Sequence, residues 1–128
     1  MAVVIKRIYE NNSKEDGKRV LVDRIWPRGI SKEQAALDDW VKEAAPSSEL
    51  RKWFNHDKEK YELFAKKYKN ELQSNNKSKE AYNELVNLAF CGKVTLLYAS
   101  KNETYNHAVL LRDWINDDIR KKQTKREV

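Results

Sequence analysis

The apolar positions divide the chain into short strands and amphipathic helices. Residues 3–8, Val-Val-Ile-Lys-Arg-Ile, predict a first strand. Residues 9–18 are polar and contain the turn pair Asp16-Gly17. Residues 19–25, Arg-Val-Leu-Val-Asp-Arg-Ile, predict a second strand. Its apolar run up to Asp23 is nearly continuous, as expected for a strand covered on both faces in a parallel sheet. Pro27 removes a donor and pushes Trp26 towards extended geometry, so Trp26-Pro27-Arg28-Gly29 is read as non-helical. Ser31 caps a short helix over 32–36, and Leu37-Asp38-Asp39-Trp40 starts another turn. A helix from Pro46 to about 54 takes Ser47 as its cap, and Asp57 caps a long helix over 58–72. In the long helix Tyr61, Phe64, Ala65, Tyr68 and Leu72 share one face. A helix over 78–90 buries Ala81, Leu85, Leu88 and Ala89 and ends at Gly92, read as a C′ residue. Residues 94–99, Val-Thr-Leu-Leu-Tyr-Ala, predict a third strand. The last helix, 105–120, buries Ala108, Leu111, Trp114, Ile115 and Ile119.

Strands near both ends with helices between them imply an α/β fold. The expected architecture is a small, mostly parallel sheet of three or four strands covered by helices, as one domain over 1–119. The link at 9–18 is near the minimum length for a crossover, which leaves an antiparallel pairing of the first two strands open. Residues 120–128 lack apolar spacing and are expected to form a basic, frayed tail.

The length of 128 residues suits one hydrophobic core. Four Trp, six Tyr and three Phe supply its bulk. No apolar run approaches the ~20 residues of a membrane span, and Met1 leads straight into the first strand without signal-peptide features. Cys91 is the only cysteine, so an intramolecular disulfide and a thiolate zinc cluster are excluded. With two histidines, no Gly-x-Gly-x-x-Gly and no Walker loop, neither a metal nor a nucleotide cofactor is expected. A cytoplasmic protein with no membrane partner is the resulting expectation. Most of the net charge of +6 lies in the tail, where Arg120, Lys121, Lys122, Lys125 and Arg126 face only Glu127. That tail is the basis for a nucleic-acid reading.

Two segments concentrate the chemistry. One is Asp23 to Gly29, where the second strand ends; the other is Ser100 to His107, between the third strand and the last helix. In open α/β sheets, ligands bind beyond the carboxyl ends of the strands. If these two strands are parallel neighbours, both segments emerge at one edge. The candidate constellation is Asp23 and His107 as proton-moving groups, with Arg24, Trp26, Arg28, Lys101 and Asn106 as ligand contacts. Cations, amide donors and a helix amino end together suit a small anion bearing phosphate or carboxylate. Each residue also has a structural role open to it: Asp23 as the ion-pair partner of Arg24 or Arg28, His107 as a packed, hydrogen-bonded side chain. A second cluster, Glu49 to Asp57, contains His56 beside Asp57 and is read as structural, because adjacent side chains diverge.

The blocks Val22-Asp23-Arg24-Ile25-Trp26-Pro27-Arg28-Gly29, Ala45 to Phe54, His56-Asp57, Leu96 to Lys101 and Asn106-His107-Ala108 resemble the YeaO-like branch of the bacterial family named domain of unknown function 488. The resemblance extends from residue 3 to about 116 and implies a compact α/β domain without an assigned activity. Longer members of that family resemble this chain through an Asp-Val-Arg and a Cys-His-Arg stretch, which fall on Asp23-Arg24 and Asn106-His107-Ala108. Asn106 stands in place of the cysteine and Ala108 in place of the arginine, so cysteine-dependent chemistry is not expected here. The favoured function is binding of, or action on, a small anionic metabolite bearing phosphate or carboxylate, nucleotides being one candidate class. The alternatives are a non-catalytic nucleic-acid accessory and a protein-interaction module docking through Trp40 and Trp53.

Overall fold

The computed structural model describes residues 3–127, with side chains described to residue 124. Four strands, β1 (Val3–Arg7), β2 (Lys18–Leu21), β3 (Asp39–Trp40) and β4 (Val94–Tyr98), form one sheet in the order β1-β4-β2-β3. Every neighbouring pair is parallel. Among the described residues five α-helices accompany them: α1 (Lys32–Ala35), α2 (Ser48–Phe54), α3 (Tyr61–Ser74), α4 (Asn76–Cys91) and α5 (His107–Glu127).

β4 is the centre of the sheet. All five of its residues are buried, and it is paired with β1 along its whole length and with β2 from Val94 to Leu97. Alternation along the strands separates two apolar layers. Val20 and Leu96 join the larger layer with Phe54, Phe64, Tyr68, Leu85, Leu111 and Ile115, from α2 to α5. Leu21 and Leu97 turn to the smaller layer, with Ile8, Ala35, Trp26 and Trp40. Within the larger layer, the buried Tyr68 Oη donates to the carbonyl of Ala44.

The expected helix caps at Ser31 and Ser47 form: the hydroxyls accept from Gln34 N and Leu50 N at 3.1 Å each. Several local expectations change. The first two strands do not pair, in either sense, because β4 lies between them. β2 ends at Leu21, short of the expected Ile25, where the chain turns into the Trp-Pro segment. Asp39-Trp40 is a two-residue edge strand rather than a helical turn, held beside Val20 and Leu21. Asp57 caps a 3-10 turn, Lys58–Lys60, ahead of α3. Gly92 follows α4 in extended backbone rather than the left-handed cap. α5 continues to Glu127, past the expected helix end at 120, and Asp117 pairs with Arg120 and Lys121 one turn on.

The loop from β1 to β2 is fixed by a buried charge cluster. Asp16 Oδ2 accepts from Arg19 Nη1 at 2.5 Å, and Oδ1 lies 3.2 Å from Lys6 Nζ. Arg19 also donates to the carbonyls of Ala35 and Ala36, so one guanidinium ties this loop to α1. Burial by itself would raise the Asp16 carboxyl. The Ser13 N–H, Arg19 and Lys6 outweigh it and hold the group below the ordinary 3.8. Next to it, Gly17 has φ +65°, and a Cβ there would lie 2.4 Å from the Lys93 carbonyl oxygen.

Gly17→Ala should therefore destabilise the fold by at least about 2 kcal/mol in urea unfolding, from left-handed strain and backbone clash together. Asp16→Asn should cost about 2 kcal/mol at neutral pH, for loss of charge-assisted hydrogen bonds. Because the folded carboxyl sits lower than the unfolded one, this stabilisation is complete above 3.8 and disappears as pH falls through the folded value. Unfolding curves of both proteins across that range should converge at acid pH.

Candidate functional site

Parallel pairing of β2 with β4 sends both chains out of the same edge of the sheet. Asp23 follows β2 and Ser100 follows β4. They meet because Asp23 Oδ2 accepts the Ala99 N–H at 2.9 Å. α5 begins alongside, and His107, its first residue, lies against Asp23, with Nε2 3.1 Å from Oδ1. The same nitrogen is 2.9 Å from the Val22 carbonyl oxygen. A carbonyl only accepts, so Nε2 carries the proton and directs it at Val22. Asp23 Oδ1 is left buried and without a hydrogen bond.

A cleft of about 390 Å³ opens beside this pair. Its other walls come from α2 and the residues just after it, Arg51, Lys52, Phe54, Asn55 and His56, and from Phe64, Ser100, Tyr105 and Asn106. Phe54 and Phe64 stack with centroids 4.2 Å apart, which gives the cleft an aromatic wall. Arg51 Nε is buried there with no hydrogen-bond partner. The chain leaves α2 through two successive left-handed residues, Asn55 at φ +45° and His56 at φ +56°. Non-glycine residues pay on the order of 1 kcal/mol each for that conformation.

Asn106 is buried at the floor and fully engaged. Its Oδ1 accepts from Val109 N at 3.0 Å, capping α5, and its Nδ2 donates to the Asn102 carbonyl at 2.8 Å. Its own carbonyl accepts from Tyr61 Oη at 2.8 Å. Burial, and after it the charge of Asp113, pushes the Tyr61 hydroxyl up to about 12, so the donor stays protonated.

Of the sequence-nominated residues, the cleft gathers Asp23, Asn106 and His107. The others are elsewhere. Arg24 donates to the carbonyls of Pro46 and Ala45 and lies 3.4 Å from Glu43, tying the β2 exit to the start of α2. Trp26 donates to the Ile30 carbonyl and packs edge-on against Trp40 in the smaller layer, on the face opposite α5. Arg28 is exposed, and its carbonyl accepts from Tyr9 Oη. Lys101 is exposed and does not line the cleft. Asp23 has the Ala99 N–H on Oδ2 and His107 Nε2 3.1 Å from Oδ1, and is paired with neither Arg24 nor Arg28. Arg51, Lys52 and His56 come from the segment read as structural. Their signal in the sequence was a cationic run directly after a capped helix start, beside the His-Asp pair.

Among the described residues no three His, Cys, Asp or Glu side chains gather to hold a metal ion, and no helix is long and apolar enough to cross a membrane. The fold and site define a small parallel α/β domain with a cation-lined cleft at the strand exits and no cysteine in it. The chain belongs to the family described as the inactive DUF488-N3 subclade, whose model matches residues 2–128. It is 44% identical over 115 residues to the uncharacterized protein YeaO of Escherichia coli (strain K12), covering 90% of this chain and 97% of that one. It is 40% identical over 114 residues to the uncharacterized proteins Rv3073c of Mycobacterium tuberculosis (strain ATCC 25618 / H37Rv) and Mb3100c of Mycobacterium bovis, covering 89% of this chain and 93% of theirs. No solved structure matches the chain.

Asn106→Ala should lower stability by about 1 kcal/mol through loss of the α5 cap, and Asn106→Ser should recover most of it. Thermal unfolding of the two variants beside wild type measures the difference.

Proposed function

We propose that the protein binds a small anionic ligand, bearing phosphate or carboxylate, in the strand-exit cleft, and that it does so without catalysing a reaction. One observation carries this reading: Arg51 Nε is a buried donor with no partner, in the wall of a cleft that also holds Lys52 and His56. A buried donor is costly to leave unmet, and the guanidinium of a residue that lines a cleft is well suited to an oxyanion. The strained Asn55-His56 turn that lines the cleft supports the same reading, since strain of this kind collects at ligand clamps.

Binding rather than turnover is supported by what the cleft residues already do. Asn106, in the place of a family cysteine, has both ends of its amide engaged with the backbone. The His107 Nε2 proton is directed at a backbone carbonyl. The subclade to which the chain belongs is described as inactive. In this reading Asp23 and His107 shape and hold the ligand instead of moving a proton, and Arg51 replaces Arg24, Arg28 and Lys101 as the anchor.

A thermal-shift screen of phosphorylated and carboxylated metabolites tests this. A ligand at a hundred times its Kd stabilises by about 2.7 kcal/mol, a rise of several degrees. The rise should vanish in Arg51→Gln and persist in Arg28→Ala. A rise that survives Arg51→Gln, or a screen in which nothing raises the melting point, overturns the proposal.

A further inference from the structure

Two residues that line the cleft each carry a buried polar atom without a hydrogen-bond partner, and these atoms make opposite demands. Arg51 Nε needs an acceptor; Asp23 Oδ1 needs a donor. An unmet buried polar group in a native structure calls for an explanation, and a bound molecule that satisfies it is one. A plain anion satisfies only the first and is repelled by the carboxylate. Resting on the reading of the cleft as an anion site, we infer that its ligand is amphoteric: a small molecule whose anionic oxygen pairs with Arg51 and whose N–H donor, ammonium or amide, pairs with Asp23 Oδ1.

The geometry around Asp23 holds that demand in place. Oδ2 is fixed by the Ala99 N–H at 2.9 Å, so the carboxylate does not rotate to hide its other oxygen. His107 Nε2 approaches Oδ1 to 3.1 Å but spends its proton on the Val22 carbonyl, 2.9 Å away. Neither Arg24 nor Arg28 neutralises Asp23: the first is bound to the 45–46 carbonyls, and the second is exposed outside the cleft. The stacked Phe54 and Phe64 give the cleft an apolar side, and polar contacts beside apolar surface are stronger than in water. A carboxylate beside the cations therefore works as a filter, admitting anions that carry a donor and rejecting those that do not.

Three small probes separate the terms: propionate, an anion with no N–H; β-alanine, an anion with an ammonium; and malonamate, an anion with a carboxamide. Each is titrated at constant ionic strength into isotope-labelled wild-type protein and followed by NMR shifts. At least one donor-bearing probe should bind about tenfold more tightly than propionate, the gain of one charge-assisted hydrogen bond. The order of β-alanine and malonamate then identifies the donor as ammonium or amide. Asp23→Asn keeps an oxygen for Ala99 N–H and turns an NH₂ to the cleft, so it should abolish the preference or reverse it towards propionate. The wild-type ranking decides by itself if that variant does not fold. Propionate binding as tightly as both others, with loss in Arg51→Gln, overturns the amphoteric ligand and leaves the anion site standing. No shift with any probe at any attainable concentration overturns both.

Discussion

The burial of β4 is the constraint on which the rest of this structure depends. A strand with all five residues out of solvent must have both backbone edges paired and both faces covered. β1 and β2 supply the edges, and the two apolar layers cover the faces. Since the pairings are parallel, the chain leaves β2 and β4 at the same end. Two loops that are distant in sequence are thereby set side by side, and the Asp23 carboxylate bridges them through the Ala99 N–H. The site follows from the sheet, and its position needs no separate explanation.

Cation counting gives a misleading picture of this molecule. Arg7, Arg19 and Arg24 all direct their guanidinium donors at backbone carbonyls, where they hold loops together. Surface lysines pair loosely or lie over aromatic rings, as Lys42 does over Trp40 and Lys67 over Trp53. Arg51 differs because a donor that is removed from water is left without a replacement partner. Chemical interest lies in the unmet demand, not in the charge itself, because an exposed cation is already satisfied by solvent.

The residues around His107 hold one side of the cleft in place. Asn106 is a good helix cap, and its side chain is spent on Val109 and Asn102. That capping fixes the start of α5 and so fixes the ring of His107 against Val22 and Asp23. The amino end of a long helix thus borders the cleft, a polarity that favours negative charge nearby.

The sequence by itself determined the α/β class, the three main strands, the helix faces and the caps at Ser31 and Ser47. These depend on interactions within a few residues of chain: period-2 and period-3.6 burial, and hydroxyls reaching backbone N–H groups one turn on. It also placed Asp23, Asn106 and His107 at one edge, since strand-exit geometry follows once two strands are parallel. What only the tertiary structure decided was pairing and partnership. Asp39-Trp40 has no periodic signal and is a strand only because Val20 and Leu21 lie beside it. Trp26 and His107 lie on opposite faces because Trp26 packs against Trp40 while α5 packs on the larger layer. Arg51 reads in the sequence as one more cation on a short helix. Whether a buried donor finds an acceptor depends on every element packed around it, and no local pattern encodes that.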